Sequence, residues 1–468
     1  MEARLESPGA RRDVYALPMA GQWLLYSPWT WTGAWVNRAA VEAMARRWRE
    51  PLAPLPKNLR SLWERLSSSP SAEAVPLQTP EKIVVIPTRA CNMRCVYCDF
   101  GAAGASAATL DPARACRLLD YYVEHLRASP EDPLRVHFFG GEPLVARNGV
   151  EAIVHYARAL CARKGGRPWF ELTTNGLFAP DVVPFVGDYF HSVVISLDGD
   201  EPLHDYNRRR PDGRGTFEEI AANVCRLRPY PVEISLRMCV TSRSVAAMAD
   251  VAERFCGEFE FDVLGFETLT ENPSARAAGL AAPDPFAFAA GVLRAEAVAA
   301  RRGIRVVHGP SELTGPRLTS CPFGRGTLML TPEGRLTACY LDPRRGREVG
   351  LDLEIGDVDA VSGAAVDRHK LDALLRLVQS KPRCRRCFCR YTCAGGCHVD
   401  QTPPGCSPEY DDRCRAIRSI TAARLARALG GSDAEDSTVM GLDAMRTLAN
   451  HPDDRLAAWP SSCAPEAP

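Results

Sequence analysis

Between Glu81 and His308 the chain alternates short, β-branched apolar runs with longer stretches whose apolar residues recur at helical spacing. Runs of the first kind lie at Ile83–Pro87, Arg135–Phe139, Phe170–Thr174, Val193–Leu197, Val232–Val240 and Phe261–Glu267, and they predict strands. Asp111–Leu126, Val150–Lys164, Thr216–Leu227 and Val245–Phe255 carry the helical period. Strand and helix in regular succession is the pattern of parallel β/α units, and six such units predict an α/β partial (β/α)6 barrel. Chemistry in such folds gathers past the carboxyl ends of the strands. Upstream, Val14–Pro18 and Trp23–Ser27 predict two strands, and Asn37–Arg49 and Leu59–Leu66 two helices. The Pro-rich stretches Pro51–Pro56 and Ser67–Pro80 read as linkers, and the last forty residues as a tail or a weak helix around Met440–Leu448.

The strand ends carry the candidate chemistry. Directly after the first strand stand Cys91, Cys95 and Cys98, spaced CxxxCxxC. Three thiolates on one short loop suit a 4Fe–4S cluster, and three ligands rather than four leave one iron open. Zinc sites usually come as two CxxC halves, and no second half lies close by. The second strand runs into Gly140-Gly141-Glu142-Pro143, the third ends in Thr173-Thr174-Asn175-Gly176, and the fourth in Ser196-Leu197-Asp198-Gly199. His204-Asp205-Tyr206-Asn207-Arg208 follows. Taken singly, Gly-Gly and Asx-Gly pairs are ordinary turn formers.

In this order the motifs resemble those of the radical S-adenosylmethionine (SAM) enzymes, down to the aromatic Tyr97 before the third cysteine. The resemblance implies that Cys91, Cys95 and Cys98 hold a catalytic 4Fe–4S cluster to which SAM binds. It implies that Gly140, Gly141, Glu142 and Pro143 receive the methionyl ammonium through backbone carbonyls and a carboxylate, and that Asn175 and Ser196 reach the ribose or the carboxylate of SAM. The His-Asp-x-x-Arg element is similar to one found in peptide-modifying members. Arg208 would then bind the SAM carboxylate in a fork; a surface ion pair is the alternative.

Cysteine density rises again after residue 320. Cys321, Cys339, Cys384, Cys387, Cys393, Cys397 and Cys414 resemble the seven-cysteine pattern of the SPASM domain, which carries auxiliary 4Fe–4S clusters. Carried over by that resemblance, Cys384, Cys387, Cys393 and Cys414 close one cluster, and Cys321, Cys339 and Cys397 hold another. The inner cluster is then left with an open iron or a substitute ligand such as Cys389. The remaining cysteines read as small apolar residues or free thiols.

Composition narrows the setting. The chain has 468 residues, 57 basic and 57 acidic side chains and no apolar run long enough to cross a bilayer, which argues against nucleic-acid and membrane partners. Its first residues lack the apolar core of a secretory signal, and 18 cysteines fit a reducing cytoplasm. The expected organisation is an N-terminal α+β unit at 1–78, a radical SAM core at 79–310, a SPASM domain at 311–425 and a tail at 426–468. The N-terminal unit reads either as a peptide-recognition module or as a cap. The resemblance implies an oxidoreductase that modifies a ribosomally made precursor peptide or small protein, supplied with electrons by a reductant such as flavodoxin or ferredoxin. Its product would be a crosslink or an oxidised side chain. Sulfatase maturation to formylglycine is the second reading; members of that group carry an Asp-Gly pair where this chain has His308-Gly309 after the strand-like Ile304–Val307. An inactive electron-transfer or binding module is the third.

Overall fold

The computed structural model describes residues 13–19, 21–68, 80–98, 100, 108–317, 327–341, 343–375, 382–399, 410–430, 442–451 and 454–459. These fall into two compact units. One comprises the described parts of Met1–Leu77, Gly309–Ser320 and Arg376–Pro468; the other those of Gln78–His308 and Cys321–Leu375.

In the first unit, β1 (Tyr15–Met19), β2 (Gln22–Ser27) and β3 (Thr32–Val36) form an antiparallel meander. The strand β3 was not legible in the apolar pattern, because its TGAWV sequence does not alternate and every residue in it is half-buried. Helices Arg38–Arg49 and Lys57–Ser67 follow, the first capped by Asn37, whose Oδ1 accepts from Ala40 N at 2.9 Å. Strand alternation gives this sheet two buried faces. Val14, Ala16 and Leu25 pack on Val41, Met44, Leu59 and Leu62 of the helices. Tyr15, Leu17, Leu24 and Tyr26 join Cys387, Phe388, Cys389, Tyr410 and Ile417. The segment read as a tail is partly built into this core: helix Leu442–Asn450 buries Met445, Leu448 and Ala449. Backbone bonds Ala16 N to Asp454 O and Leu456 N to Val14 O, both 2.8 Å, close the outer edge of β1. The opposite edge, β3, has no strand partner among the described residues.

The N-terminal sheet is thus half of the wall around the cysteine-rich turns. Deleting residues 1–78 removes several large apolar side chains from that wall, each worth about 1.5–3 kcal/mol. We expect trypsin to cut such a chain rapidly at Arg385, Arg386 and Arg390. Unchanged resistance there would show that the N-terminal segment folds apart from the cysteine-rich turns.

The second unit is built on one eleven-stranded sheet. Strands β4 (Ile83–Val85), β5 (Leu134–Phe138), β6 (Pro168–Thr174), β7 (Ser192–Ser196), β8 (Glu233–Val240) and β9 (Val263–Thr268) are the six expected ones, and they run parallel in sequence order. A further strand, β10 (Arg305–Val307), extends them beside β9. On the other edge β11 (Leu328–Leu330) pairs parallel with β4, followed antiparallel by β12 (Arg335–Thr337), β13 (Glu354–Asp359) and β14 (Gly363–Val366). The stretch expected to form a separate domain at 311–425 is therefore shared: its strands continue this sheet, while its cysteine-rich turns belong to the first unit.

Helices such as Phe217–Leu227, Met248–Glu258 and Pro285–Ala300 connect the parallel strands. On β8, Ile234, Leu236, Met238 and Val240 are all 0% exposed, whereas their neighbours Ser235, Arg237 and Cys239 are not buried. One face of the parallel sheet is core, and the other offers polar side chains.

Candidate functional site

The cysteine loop leaves β4 and is fixed by backbone contacts that do not involve sulfur. Arg94 N donates to Arg209 O at 2.7 Å and Val96 N to Asn207 O at 2.9 Å. On its other side, Gly141 N donates to Thr88 O at 3.1 Å and Glu142 N to Ala90 O at 2.9 Å. A Cβ at Gly141 would collide with the carbonyl oxygens of Arg89 and Ala90, and Gly140 has φ +153°, a conformation that favours glycine. Here the paired glycines let two backbones touch, a role that the sequence alone did not reveal.

The three thiols are half-buried; Cys95 feels the charge of both other sulfurs, and Cys91 that of Cys98 and of Glu142. Burial pushes Cys91 up to about 11, and it pushes Cys95 up to about 12 against the opposing charge of Arg208. Such thiols ionise when bound cations offset the lost hydration, and metal binding then releases protons. Among the described residues no three His, Cys, Asp or Glu side chains converge as a single ion requires. Three thiols on one loop, with no histidine among them, are the donor chemistry of an iron–sulfur cluster that keeps one iron open.

Behind the loop lies a buried network centred on Asp198, which is 0% exposed. Its Oδ2 accepts from Tyr97 Oη and from Asn207 Nδ2 (3.3 Å), and its Oδ1 from Cys239 N (3.0 Å). Arg208 Nε sits 3.1 Å from Asp198 Oδ2, close enough for an ion pair though out of line for a hydrogen bond. The guanidinium lies 5.4 Å from the Tyr97 ring centre. Arg208 thus forms an ion pair within the chain, buried rather than at the surface as the alternative reading had it. The other members of its motif have partners within the chain too. His204 Nδ1 accepts from Asp198 N at 3.2 Å, and burial brings the imidazole down to about 4. Asp205 caps helix Phe217–Leu227 through Thr216 N and Phe217 N.

Glu142 is 1% exposed. Its Oε1 accepts from Leu144 N (3.1 Å) and Thr174 Oγ1 (2.9 Å), and its Oε2 from Asn175 N (2.7 Å). A carboxylate offers about four acceptor sites, so one remains for an ammonium group. Pro143 opens the short turn that follows. Asn175 braces the loop: its Nδ2 donates to Asn92 Oδ1 at 2.8 Å and lies 3.6 Å from Cys91 Sγ. Ser196 is buried at the end of β7, in register with Arg237, and its hydroxyl has no protein partner among the described residues.

Burial pushes Glu142 up to about 7, with the amides of Asn175 and Leu144 and the Thr174 hydroxyl pulling the other way. A folded-state value above the ordinary 4.5 means that the native state holds the extra proton. This stability is complete below the unfolded value and is lost as pH rises through about 7. Glu142→Gln should lack that loss, so the variant should gain on the wild type in urea midpoint between pH ~5 and ~8. Parallel pH profiles would contradict the buried-acid account.

Sequence reasoning missed the polar network on the open face of the sheet. His137 Nε2 meets Thr173 Oγ1 at 2.9 Å, His137 Nδ1 meets Tyr340 Oη at 3.2 Å, and Lys82 Nζ holds Glu171 Oε2 at 3.1 Å. Burial brings His137 down to about 4, so the ring is neutral near pH 7. Polar residues at alternate positions of β5 and β6 were the available signal. A cavity of about 620 Å³ also borders the cysteine loop, lined among others by Asn92, Glu142, Leu177, Arg210 and Asn223; Ser196 and Arg208 do not line it.

In the cysteine-rich turns, Cys387, Cys389 and Cys393 are buried in one cluster with Cys414 packed against it, and Arg383 feels the charges of Cys414 and Cys384. Four candidate ligands of the outer cluster are thereby brought together within one unit, with Cys389 among them. Cys321 lies outside the described residues. Cys339 belongs to the sheet unit and Cys397 to the other. Of the eight cysteines left over, Cys161, Cys256 and Cys389 are buried and Cys225 is exposed; Cys406 and Cys463 lie outside the described residues. His308 is buried and packs on the Phe288 ring at 5.3 Å. Among the described residues no helix is long and apolar enough to cross a membrane.

Residues 85–247 match the family model of the Radical SAM superfamily. The serine-type anaerobic sulfatase-maturating enzyme of Klebsiella aerogenes is 24% identical over 385 residues, covering 78% of this chain and 91% of that protein. The cysteine-type anaerobic sulfatase-maturating enzyme of Clostridium novyi (strain NT) is 26% identical over 179 residues, 38% of this chain and 47% of that one. Among solved structures, native anSMEcpe with bound AdoMet and Kp18Cys peptide superimposes with a TM-score of 0.59 at 17% identity, covering 75% of this chain and 99% of that one. That likeness is one of fold.

Proposed function

We propose that this chain, whose residues 85–247 form a radical SAM domain, is an enzyme that oxidises or crosslinks a peptide or small protein. A radical SAM domain works with a 4Fe–4S cluster and SAM, which together supply a 5′-deoxyadenosyl radical able to remove hydrogen from an unactivated carbon. Cys91, Cys95 and Cys98 are the ligands for that cluster in this reading. Glu142 receives the SAM ammonium on its remaining acceptor site, and Ser196, with its unengaged hydroxyl, meets the sugar or carboxylate. Arg208 and Asn175 act by positioning: the first stabilises Asp198 and Tyr97 behind the loop, the second ties the end of β6 to Asn92. The polar face carrying His137, Glu171 and Arg237 is the place for the substrate side chain. The observation that carries the reading is a thiol loop held from both sides by chain contacts independent of sulfur, as a preformed ligand set requires.

Peptide recognition by the N-terminal sheet is part of the proposal. The edge of β3 without a strand partner among the described residues suits an added strand of substrate, since main-chain bonding accepts many sequences. Two auxiliary clusters, the outer one at Cys384, Cys387, Cys393 and Cys414, would take up the surplus electron.

Formylglycine formation remains the second reading because the match to the Klebsiella aerogenes enzyme spans 91% of that protein. Buried His308 stands where that group has its acid. Protein reconstituted without oxygen is given SAM, dithionite and either a sulfatase-type Ser/Cys peptide or a short peptide encoded beside this chain. Both readings require 5′-deoxyadenosine, and its absence refutes them. A product trapped by hydrazide is an aldehyde and favours formylglycine; loss of two hydrogens without trapping favours a crosslink.

A further inference from the structure

Helix Asp412–Ala428 carries Arg418 into the core of its unit, where the side chain is 1% exposed. Nη1 and Nη2 grip the two oxygens of Asp454, itself 1% exposed, at 2.6 and 3.0 Å. Nη2 also donates to Leu448 O at 2.7 Å and His451 O at 3.2 Å, and Nε to Ala449 O at 3.1 Å. Phe388 and Tyr410 present their rings to the guanidinium at 5.0 and 4.1 Å. One contact is of another kind: Nη1 donates to the sulfur of Cys387 at 3.1 Å. Packing alone does not call for this arrangement, because apolar side chains of similar volume stabilise a core at least as well as a buried ion pair. The guanidinium fork fixes the contact to within one hydrogen-bond length of the thiol.

We propose that Arg418 is a positioning residue that donates a hydrogen bond to the Cys387 ligand sulfur of the outer auxiliary cluster and thereby raises that cluster's reduction potential. The inference rests on the proposed ligation by Cys384, Cys387, Cys393 and Cys414. Reduction adds one electron's charge to the cluster and its sulfurs. A donor hydrogen bond and a buried cation beside one sulfur stabilise the reduced form more than the oxidised one. Asp454 tempers this effect and keeps the guanidinium in place, which makes the sulfur contact, rather than the bare charge, the larger influence.

The test uses the full chain with Cys91, Cys95 and Cys98 changed to alanine, so that signals come from auxiliary clusters alone. In a redox titration followed by electron paramagnetic resonance, Arg418→Gln with Asp454→Asn should reduce at a more negative potential than the parent at equal iron content. The paired change avoids an orphaned buried charge. An unchanged potential in iron-replete protein overturns the inference and leaves the ligand set standing. Should the paired variant fail to fold, the parent labelled with 15N-arginine answers the same question: pulsed resonance on the reduced cluster should show a nitrogen coupling, and its absence overturns the inference. If Cys384→Ala with Cys414→Ala loses no iron on that background, the ligand assignment falls, and this inference with it.

Discussion

Anaerobic reconstitution of a Cys91→Ala/Cys95→Ala/Cys98→Ala chain should yield protein that is folded, lacks one cluster's iron and makes no 5′-deoxyadenosine. The loss of activity should be complete, because the triple change removes all three proposed ligand thiolates of the loop. The retention of fold is the less obvious half. The loop is held by Arg94 N to Arg209 O and Val96 N to Asn207 O on one side and by Gly141 N to Thr88 O and Glu142 N to Ala90 O on the other. None of these bonds involves sulfur. The Cys91 and Cys95 thiols, pushed up to about 11 and 12, are neutral in metal-free protein at pH 7, so alanine at those two positions removes no charge. Metal-free wild type and triple variant should therefore unfold at similar urea concentrations, while iron and SAM cleavage separate them. Persisting 5′-deoxyadenosine would refute the catalytic role of the loop. A collapse in the variant's urea midpoint would refute the sulfur-independent bracing.

The parallel part of the sheet was legible in the sequence because it is buried. The strands β4 to β9 are β-branched runs, and their ends differ from the expected ones by two residues or fewer. The cysteine loop and Gly140-Gly141-Glu142-Pro143 were legible because their spacing from those strands is fixed. What escaped was of two kinds. Short strands such as β3 and β11 to β14 have too few residues to show a period, and β3 does not alternate in burial. Long-range partnership is the other: the sequence contains no sign that Tyr15 and Leu17 cover Cys387 and Cys389, or that Asp454 meets Arg418. The helix expected only weakly around Met440–Leu448 lies at Leu442–Asn450, and what the sequence did not show is that burial of Met445 and Leu448, rather than its own propensity, stabilises it. At the site, motif reading identified residues but not always roles. Glu142, Asn175 and Arg208 each have partners within the chain, and these decide which of their atoms remain for a ligand.

Asp198 illustrates the difference and carries the largest expected effect on stability. It was legible as one polar residue in a strand-end cluster, yet it is the acceptor around which the loop's rear wall is organised. Asp198→Ala leaves Arg208 as a cation with a side chain only 12% exposed and no counter-charge. Removing one partner of a buried ion pair costs on the order of 3–5 kcal/mol. The Tyr97 hydroxyl, Asn207 Nδ2 and Cys239 N lose their acceptor as well, and an unsatisfied buried donor costs about 1–3 kcal/mol where water cannot reach it. These terms share one site and do not add fully, so the pair's ~3–5 kcal/mol is the better guide to the total. Asp205→Ala supplies the comparison from the same segment, since it removes only a helix cap worth about 0.5–2 kcal/mol. Urea unfolding of both metal-free variants should therefore place Asp198→Ala well below Asp205→Ala. Because Asn207 and Tyr97 hold the loop on that side, reconstituted Asp198→Ala should also load less iron than the wild type. Equal midpoints for the two variants would mean that Arg208 finds water or another carboxylate when Asp198 is gone, and the buried pair would then not be what fixes the cysteine loop.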